Sequence, residues 1–409
     1  MKAGYLSEFF TGVAIKTLSA VEANPAVSNQ HEINGVKPLR HMLGDERQRF
    51  NATFIYLSDD DPEPVVDDGY FTWYDSRENQ PHRSPEFRLY FPKTVASDCA
   101  AAGDLLVIAR RPDGDLLGII AQGGSTMASQ ILWLFSIGSS QLAGFSIREE
   151  LSTDQDRIQF ASSLILEQIG IVPEVAVAPN YLDVMLEKFS GKFPPTDSFS
   201  AYARSTVPEI DPREADADAA LMGWMEREEI LFRTLERHLL GERLQKGFAD
   251  DVDGFISFSL SVQNRRKSRS GHALENHLEV LFHAHNIRFD RGASTEGKQK
   301  PDFLFPGSEE YKNEGYDAAL LTMLGAKTTC KDRWRQVLAE AKRIESKHLL
   351  TLEAAISTNQ TDQMKTHKLQ LVIPRSLHTT FTDSQQKDLI SLTDFTIMVR
   401  DRENRAGVV

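Results

Sequence analysis

Over roughly the first 170 residues the hydrophobic positions come in short runs that read largely as strands. Residues 104–121 (DLLVIARRPDGDLLGIIA) are two apolar runs around Pro112-Asp113-Gly114, which predicts a hairpin. Residues 71–74 (FTWY) and 87–91 (FRLYF) are further aromatic-rich runs of strand type, whereas 130–137 and 159–169 read as helices. No repeat or low-complexity tract is present.

Between residues 172 and 220 stand Pro173, Pro179, Pro194, Pro195, Pro208 and Pro212, followed by the acidic run ADADAA. We read 173–220 as a linker and the start of a second domain; an irregular but packed first element remains the alternative. Beyond residue 221 helices alternate with strands. Residues 221–244 and 254–261 are helical in period, and 272–285 set Leu274, Leu278, Leu281 and Phe282 on one face. Residues 301–305 and 321–329 read as strands, 332–344 as an amphipathic helix, and 348–352 and 369–373 as two more strands. Helices on both sides of a short mixed sheet make an α/β domain. The expected division is 1–172, 173–220 and 221–409.

Composition supports two soluble domains. A chain of 409 residues exceeds the usual single core, and 41% hydrophobic with 26% charged residues is ordinary for globular proteins. No apolar run approaches the roughly 18 residues of a membrane span. The opening MKAGYLSEFF has no signal-peptide pattern. Cys99 and Cys330 are the only cysteines, far apart, so neither a disulfide framework nor a zinc site is expected, and a reducing cytoplasm is the expected location. The net charge of −13 argues mildly against nucleic acid. Phosphate binding depends on local clusters, however, and two are present: Arg265, Arg266, Lys267 and Arg269, then Lys327, Lys331, Arg333 and Arg335. Taken alone, each reads more often as a solvated face than as a binding site.

The chemistry concentrates between Pro301 and Glu340. Phosphodiester hydrolysis near neutral pH needs a divalent metal on hard oxygen ligands, a water nucleophile and charge compensation at phosphorus. Two carboxylates on neighbouring strands with a lysine beside them meet that need. Pro301-Asp302 opens a strand and supplies one carboxylate, and Lys327 stands in LGAKTT, but the position two before it is Gly325 rather than an acid. In the following helical pattern Arg333, Gln336, Val337 and Glu340 share i, i+3, i+4, i+7 spacing, so Glu340 can supply the second carboxylate. Spacing alone leaves Asp302 open as a turn or cap and Lys327 as a strand-edge lysine. Glu275 is a further candidate. Lys331-Asp332-Arg333 opens the helix; basic groups donate to guanine and a carboxylate accepts from cytosine N4, so the triplet suits G·C readout, with helix capping as the alternative.

Three ordered blocks resemble the nuclease core of EcoRII-type (type IIE) restriction endonucleases: SVQNRRKSRSGHALENHLEVLF (261–282), STEGKQKPDFLFP (294–306) and LGAKTTCKDRWRQVLAEAKRI (324–344). HLLTL, LVIPRSLH and KFPPTDSFSAYA extend the likeness over about 181–378. The resemblance implies a restriction-endonuclease-like α/β domain using Mg2+, with Asp302 and Glu340 as metal ligands and Lys327 beside them. Glu275 then falls on the family's helix glutamate, His277 on its histidine and Tyr311 on its post-strand tyrosine. Lys331, Asp332, Arg333 and Tyr311, with the Arg265–Arg269 cluster, become DNA-recognition candidates.

The front half resembles the family's effector-binding pseudobarrel, a β-rich DNA-binding domain. Residues 14–32 match one DNA-clasping arm with Lys16 and His31, and 74–90 match the other with Arg83, Glu86 and Arg88. The implied protein is a homodimer that hydrolyses both strands of a short palindrome like CCWGG. A second site copy on the front domain relieves autoinhibition, and a cognate cytosine methyltransferase protects the host. The alternatives are a mismatch or modified-base nicking endonuclease and a non-catalytic sequence-specific DNA-binding protein.

Overall fold

The computed structural model describes residues 4–23, 32–61, 63–80, 82–138, 142, 144–173, 179–214, 216–330 and 333–407. The chain forms two compact units, Met1–Glu174 with Ala354–Asp362, and Val175–Glu353 with Gln363–Val409.

The first unit is built on an eight-stranded sheet. Its strands are β1 (Gly12–Thr17), β2 (Glu32–Asn34), β3 (Gln48–Leu57), β4 (Val65–Asp75), β5 (Phe87–Tyr90), β6 (Leu105–Arg110), β7 (Leu116–Ala121) and β8 (Ser146–Arg148), in the order β2-β5-β4-β3-β7-β6-β1-β8. The hairpin β6–β7 forms as expected, with Gly114 at φ +96° in its turn. Apart from Arg110 at the end of β6, both strands are apolar because each faces two cores. Val107, Ala109, Leu117 and Ile119 enter one core, while Leu106, Ile108, Leu116 and Ile120 enter the other. Helices α1 (Lys37–Leu43), α2 (Thr126–Leu134) and α3 (Phe160–Gln168) supply the remaining apolar surfaces. Residues Ala354–Asp362 belong here too: Thr126 donates its hydroxyl proton to Gln360 Oε1, 2.5 Å, and accepts from the Ser357 amide, 3.1 Å.

The second unit begins with helices where the prolines suggested a linker: α4 (Leu182–Lys188) and α5 (Thr196–Ser205), whose Met185, Phe199 and Tyr202 pack on Leu231, Phe232 and Leu235. These last three lie in α6 (Ala217–Lys246), which is followed by α7 (Val252–Ala284). The two helical patterns read at 254–261 and 272–285 are one continuous 33-residue helix. The polar stretch between them looked like a break, but Arg266 and Arg269, three apart, turn to the same side and pair with acids of α6.

Its sheet has strands β9 (Asp290–Arg291), β10 (Phe303–Phe305), β11 (Thr322–Lys327), β12 (Lys347–Thr351) and β13 (Leu369–Val372), ordered β13-β12-β11-β10-β9. β9, β10 and β11 pair antiparallel, and β11, β12 and β13 pair parallel, so the sheet is mixed. Phe282 of α7 packs edge-on against Phe303 and Phe305 and also meets Phe395 of helix Leu392–Ala406. The helix expected over 332–344 is only Trp334–Leu338. Residues 339–346 leave helical geometry, with Ala341 at φ +44°.

Candidate active site

The Pro-Asp start of β10 and the end of β11 bring the first two expected groups together. Lys327 donates from Nζ to Asp302 Oδ2, 2.8 Å, and the Ala326 amide donates to the same oxygen, 2.7 Å. The antiparallel register, Phe303 opposite Leu324, makes this meeting a consequence of strand pairing.

Glu340 also reaches this pair, but not by helix periodicity, because the helix ends two residues earlier. The turn that carries it is held from outside. The Lys342 amide donates to Glu296, 3.4 Å, the Arg343 amide donates to the Tyr311 hydroxyl, 3.2 Å, and Lys347 Nζ donates to the Ile344 carbonyl, 2.7 Å. Burial first, then the Asp302 carboxylate, pushes the Glu340 carboxyl up to about 7 against the opposing pull of Lys327 and Lys347. Its Oε2 is buried with no hydrogen-bond partner.

That orphaned oxygen is the test of fit for a cation. A buried carboxylate oxygen facing a second carboxylate is unfavourable without a positive group between them, and a hard divalent ion accepts oxygen donors of this kind. Asp302 and Glu340 are the residues that would hold it, with both protein bonds to Asp302 falling on Oδ2. No group of three or more His, Cys, Asp or Glu side chains suited to a metal occurs among the described residues, so the set rests on two carboxylates.

Glu275 is joined instead to Arg291 of β9, the strand next to β10. Its Oε2 accepts from Arg291, 2.8 Å, and Arg291 also donates to Glu279, 2.7 Å, and Asn276, 2.9 Å. Arg291 is the register partner of Phe303, so Glu275 braces the strand that presents Asp302.

The recognition candidates divide. Arg333 is exposed and caps the short helix Trp334–Leu338, whereas Lys331 and Asp332 lie outside the described residues. Tyr311 requires correction as a DNA reader. It is only 3% exposed, and its hydroxyl donates to Glu296, 2.6 Å; burial and that carboxylate push it up to about 12. It braces the Glu340 turn. The cluster around residue 267 also changes meaning. Arg269 is buried on Glu228 and stacks over Phe232, Arg266 pairs with Glu236, and Arg265 stacks over Phe193. These arginines join helices, because helical phase carries them inward, and only Lys267 of the four is exposed. His277 is fully buried, 3.0 Å from Glu228, and its ring is held neutral mainly by burial.

In the first unit Arg88 pairs with Glu32 and Glu86, and Glu86 also pairs with Arg77. Arg83 is exposed in the loop before β5. Lys16 pairs with Glu22 on β1, well away from β5 in the strand order. His31 lies outside the described residues.

Residues that sequence reasoning passed over are Glu296, Arg343 and Lys347, which shape the Glu340 turn, and Glu353. The buried Glu353 accepts from the Cys330 amide, 2.6 Å, and so anchors the loop leading to Arg333. Glu296 and Glu353 follow no spacing relative to the groups they hold, and Arg343 and Lys347 lie beyond the end of the short helix Trp334–Leu338, where helical spacing places nothing.

Residues 232–396 match the family described as EcoRII C terminal. The chain is 39% identical over 219 residues to the type II restriction enzyme EcoRII of Escherichia coli, covering 53% of this chain and 53% of that one. It thus spans about half the length of the curated relative it matches. Two solved structures are similar more loosely. Metal-depleted Ecl18kI in complex with uncleaved, modified DNA has a TM-score of 0.46 at 16% identity, covering 56% of this chain and 86% of that one. The restriction endonuclease PspGI–substrate DNA complex has 0.43 at 15%, covering 52% and 94%. Asp302, Lys327 and Glu340 all fall inside the matched residues 232–396, as do Glu275 and Tyr311.

Proposed function

We propose that this chain is a Mg2+-dependent, site-specific deoxyribonuclease of type II. The observation that carries the reading is the Lys327–Asp302 bond with the unpartnered oxygen of Glu340 beside it. A divalent ion bound there supplies Lewis acidity toward the scissile phosphate. The protein supplies the rest. Asp302 fixes the Lys327 ammonium, which places a positive charge where negative charge grows on the phosphate oxygens. The Tyr311, Glu296 and Lys347 brace keeps Glu340 in place although no regular element carries it. Exposed Arg333 at a helix start is suited to base edges in the major groove.

The finer reading is that the enzyme cuts both strands of a short palindrome resembling CCWGG as a homodimer. The first unit binds a second copy of the site as effector, blocks the nuclease until then, and a cognate cytosine methyltransferase protects host DNA. No helix among the described residues is long and apolar enough to cross a membrane, which accords with the cytoplasmic location we propose. Digesting plasmid DNA with Mg2+, then sequencing the ends, tests all of this together. Uniform fragments with one end sequence are expected, and intact plasmid at every metal tried would overturn the nuclease reading.

A further inference from the structure

Strands β11 and β12 pair parallel as far as Lys327 opposite Thr351. Past that row, side chains of the β12 segment take over from the ladder. Thr351 donates from Oγ1 to the Thr328 carbonyl, 3.3 Å, and Glu353 accepts at Oε2 from the Cys330 amide, 2.6 Å. The step is two residues on both sides, so side chains carry the strand register onward where the backbone bonds stop. The Glu353 amide in turn donates to Thr351 Oγ1, 3.2 Å, which ties the two holding residues together. Glu353 is only 2% exposed, and an acidic side chain is tolerated in the interior only where it is bonded.

The bond falls where it bears on reading DNA. The Cys330 carbonyl accepts from the Arg333 amide, 2.7 Å, so the residue that Glu353 grips is itself bonded to Arg333. Cys330 and Trp334 are buried, at 0% and 1%, and Arg333 between them is exposed. Two buried anchors thus mount one exposed arginine just past the end of β11.

We propose that Glu353 is a positioning residue for sequence discrimination: its buried carboxyl group holds the Cys330 amide and so fixes where Arg333 meets the DNA. The proposal rests on the reading of Arg333 as a base contact. Being buried, Glu353 acts through the Cys330 peptide and not on the bases. Its oxygen meets the peptide that Arg333 hangs from, so a change there displaces the reading side chain without altering it. Discrimination by a bonded side chain depends on its placement against the base edge, and a displaced arginine keeps its charge while losing its choice of base.

Two measurements on the full chain test it. The first is binding, without added metal, to a duplex carrying CCAGG and to duplexes substituted at each base pair in turn. Glu353→Leu keeps the volume and removes the acceptor. It should lose about tenfold in discrimination at the base pair that Arg333→Ala relaxes, and keep it elsewhere. Adding Glu353→Leu to Arg333→Ala should cost no further discrimination, because residues acting through one another are not additive. Glu353→Gln, which offers the amide an oxygen without the charge, should restore the wild-type pattern. A residue serving only the stability of the sheet would weaken every duplex alike. The second measurement needs no DNA. In a Cys99→Ser chain Cys330 is the one thiol. Iodoacetamide should label it roughly tenfold faster in Glu353→Leu than with Glu353 present, as local opening exposes it, and at the original rate in Glu353→Gln. If Glu353→Leu does not fold, Glu353→Asp, one methylene short of the amide, takes its place in both. An even loss over all base pairs, an additive loss in the double variant, or a Cys330 as protected in Glu353→Leu as with Glu353 present would each overturn the proposal. A wild type that binds all the duplexes equally sinks the recognition reading instead, and the labelling rates still decide whether Glu353 holds Cys330.

Discussion

Asp302 accepts both its hydrogen bonds on one oxygen, and Glu340 keeps one oxygen with no partner at all. Two such carboxylates and a lysine act as a unit, so Asp302→Ala, Lys327→Ala and Glu340→Gln should each lower cleavage by orders of magnitude, as losing a metal ligand or the charged lysine does. Specific DNA binding should persist in gel shifts; near-normal cutting by Glu340→Gln would remove that carboxylate from the chemistry. Arg333 belongs to recognition. Arg333→Ala should cost roughly 1–3 kcal/mol of discrimination at one G·C pair, read by competition between single-substituted sites. A uniform loss over all sequences would instead make it a phosphate contact. His348 gives a residue-level test of the fold. Burial, then Arg402, pulls its ring from 6.5 down to about 4. The unfolded chain takes up that proton near 6.5, so between about 6.5 and 4 the unfolded state binds more protons. Stability should therefore fall as pH is lowered through that window and be indifferent to His348 above it. Urea midpoints against pH should be flatter in His348→Asn than in the wild type.

At the scale of elements the notable join is that of α6 to α7. Arg269 lies between Glu228 and Glu229, with His277 against Glu228, all inside the helical layer. Removing one partner of a buried pair leaves the other charged and dry, so Arg269→Met should destabilise by roughly 3–5 kcal/mol. Arg266→Met, whose guanidinium is about one-third exposed while its partner Glu236 is buried, should destabilise less than Arg269→Met. Equal denaturation midpoints for the two variants would show that burial does not separate them. The same join explains where sequence reading stopped. The β6–β7 hairpin was legible because two apolar runs flank Pro112-Asp113-Gly114, and β10 and β11 because apolar runs begin or end at Asp302 and Lys327. Helix α7 read as two pieces because its middle is polar, and the acids that hold that middle come from another helix. The helical spacing that suggested Glu340 does not carry it: its turn is held by Glu296 and Tyr311, which are distant in the chain, and by Lys347 on the following strand.

For the whole molecule, a cut after Glu174 removes the first unit apart from Ala354–Asp362, which stay with the fragment. If the first unit blocks the nuclease, the fragment 175–409 should cut single-site plasmid faster than the full chain and ignore added site-containing oligonucleotide. Arg88→Ala in the full chain should lose stimulation and keep the chemistry. A fragment slower than the full chain on one-site DNA would sink autoinhibition and leave the nuclease assignment untouched. Gly325 carries a last consequence, for what the sheet can accept. A Cβ there would meet Val337 at 3.0 and 3.3 Å, so Val337 would have to give by a few tenths of an ångström to admit any side chain. Gly325→Asp should therefore lower the denaturation midpoint, and Val337→Ala in the same chain should recover part of the loss; a Gly325→Asp chain as stable as the wild type would show that Val337 yields freely.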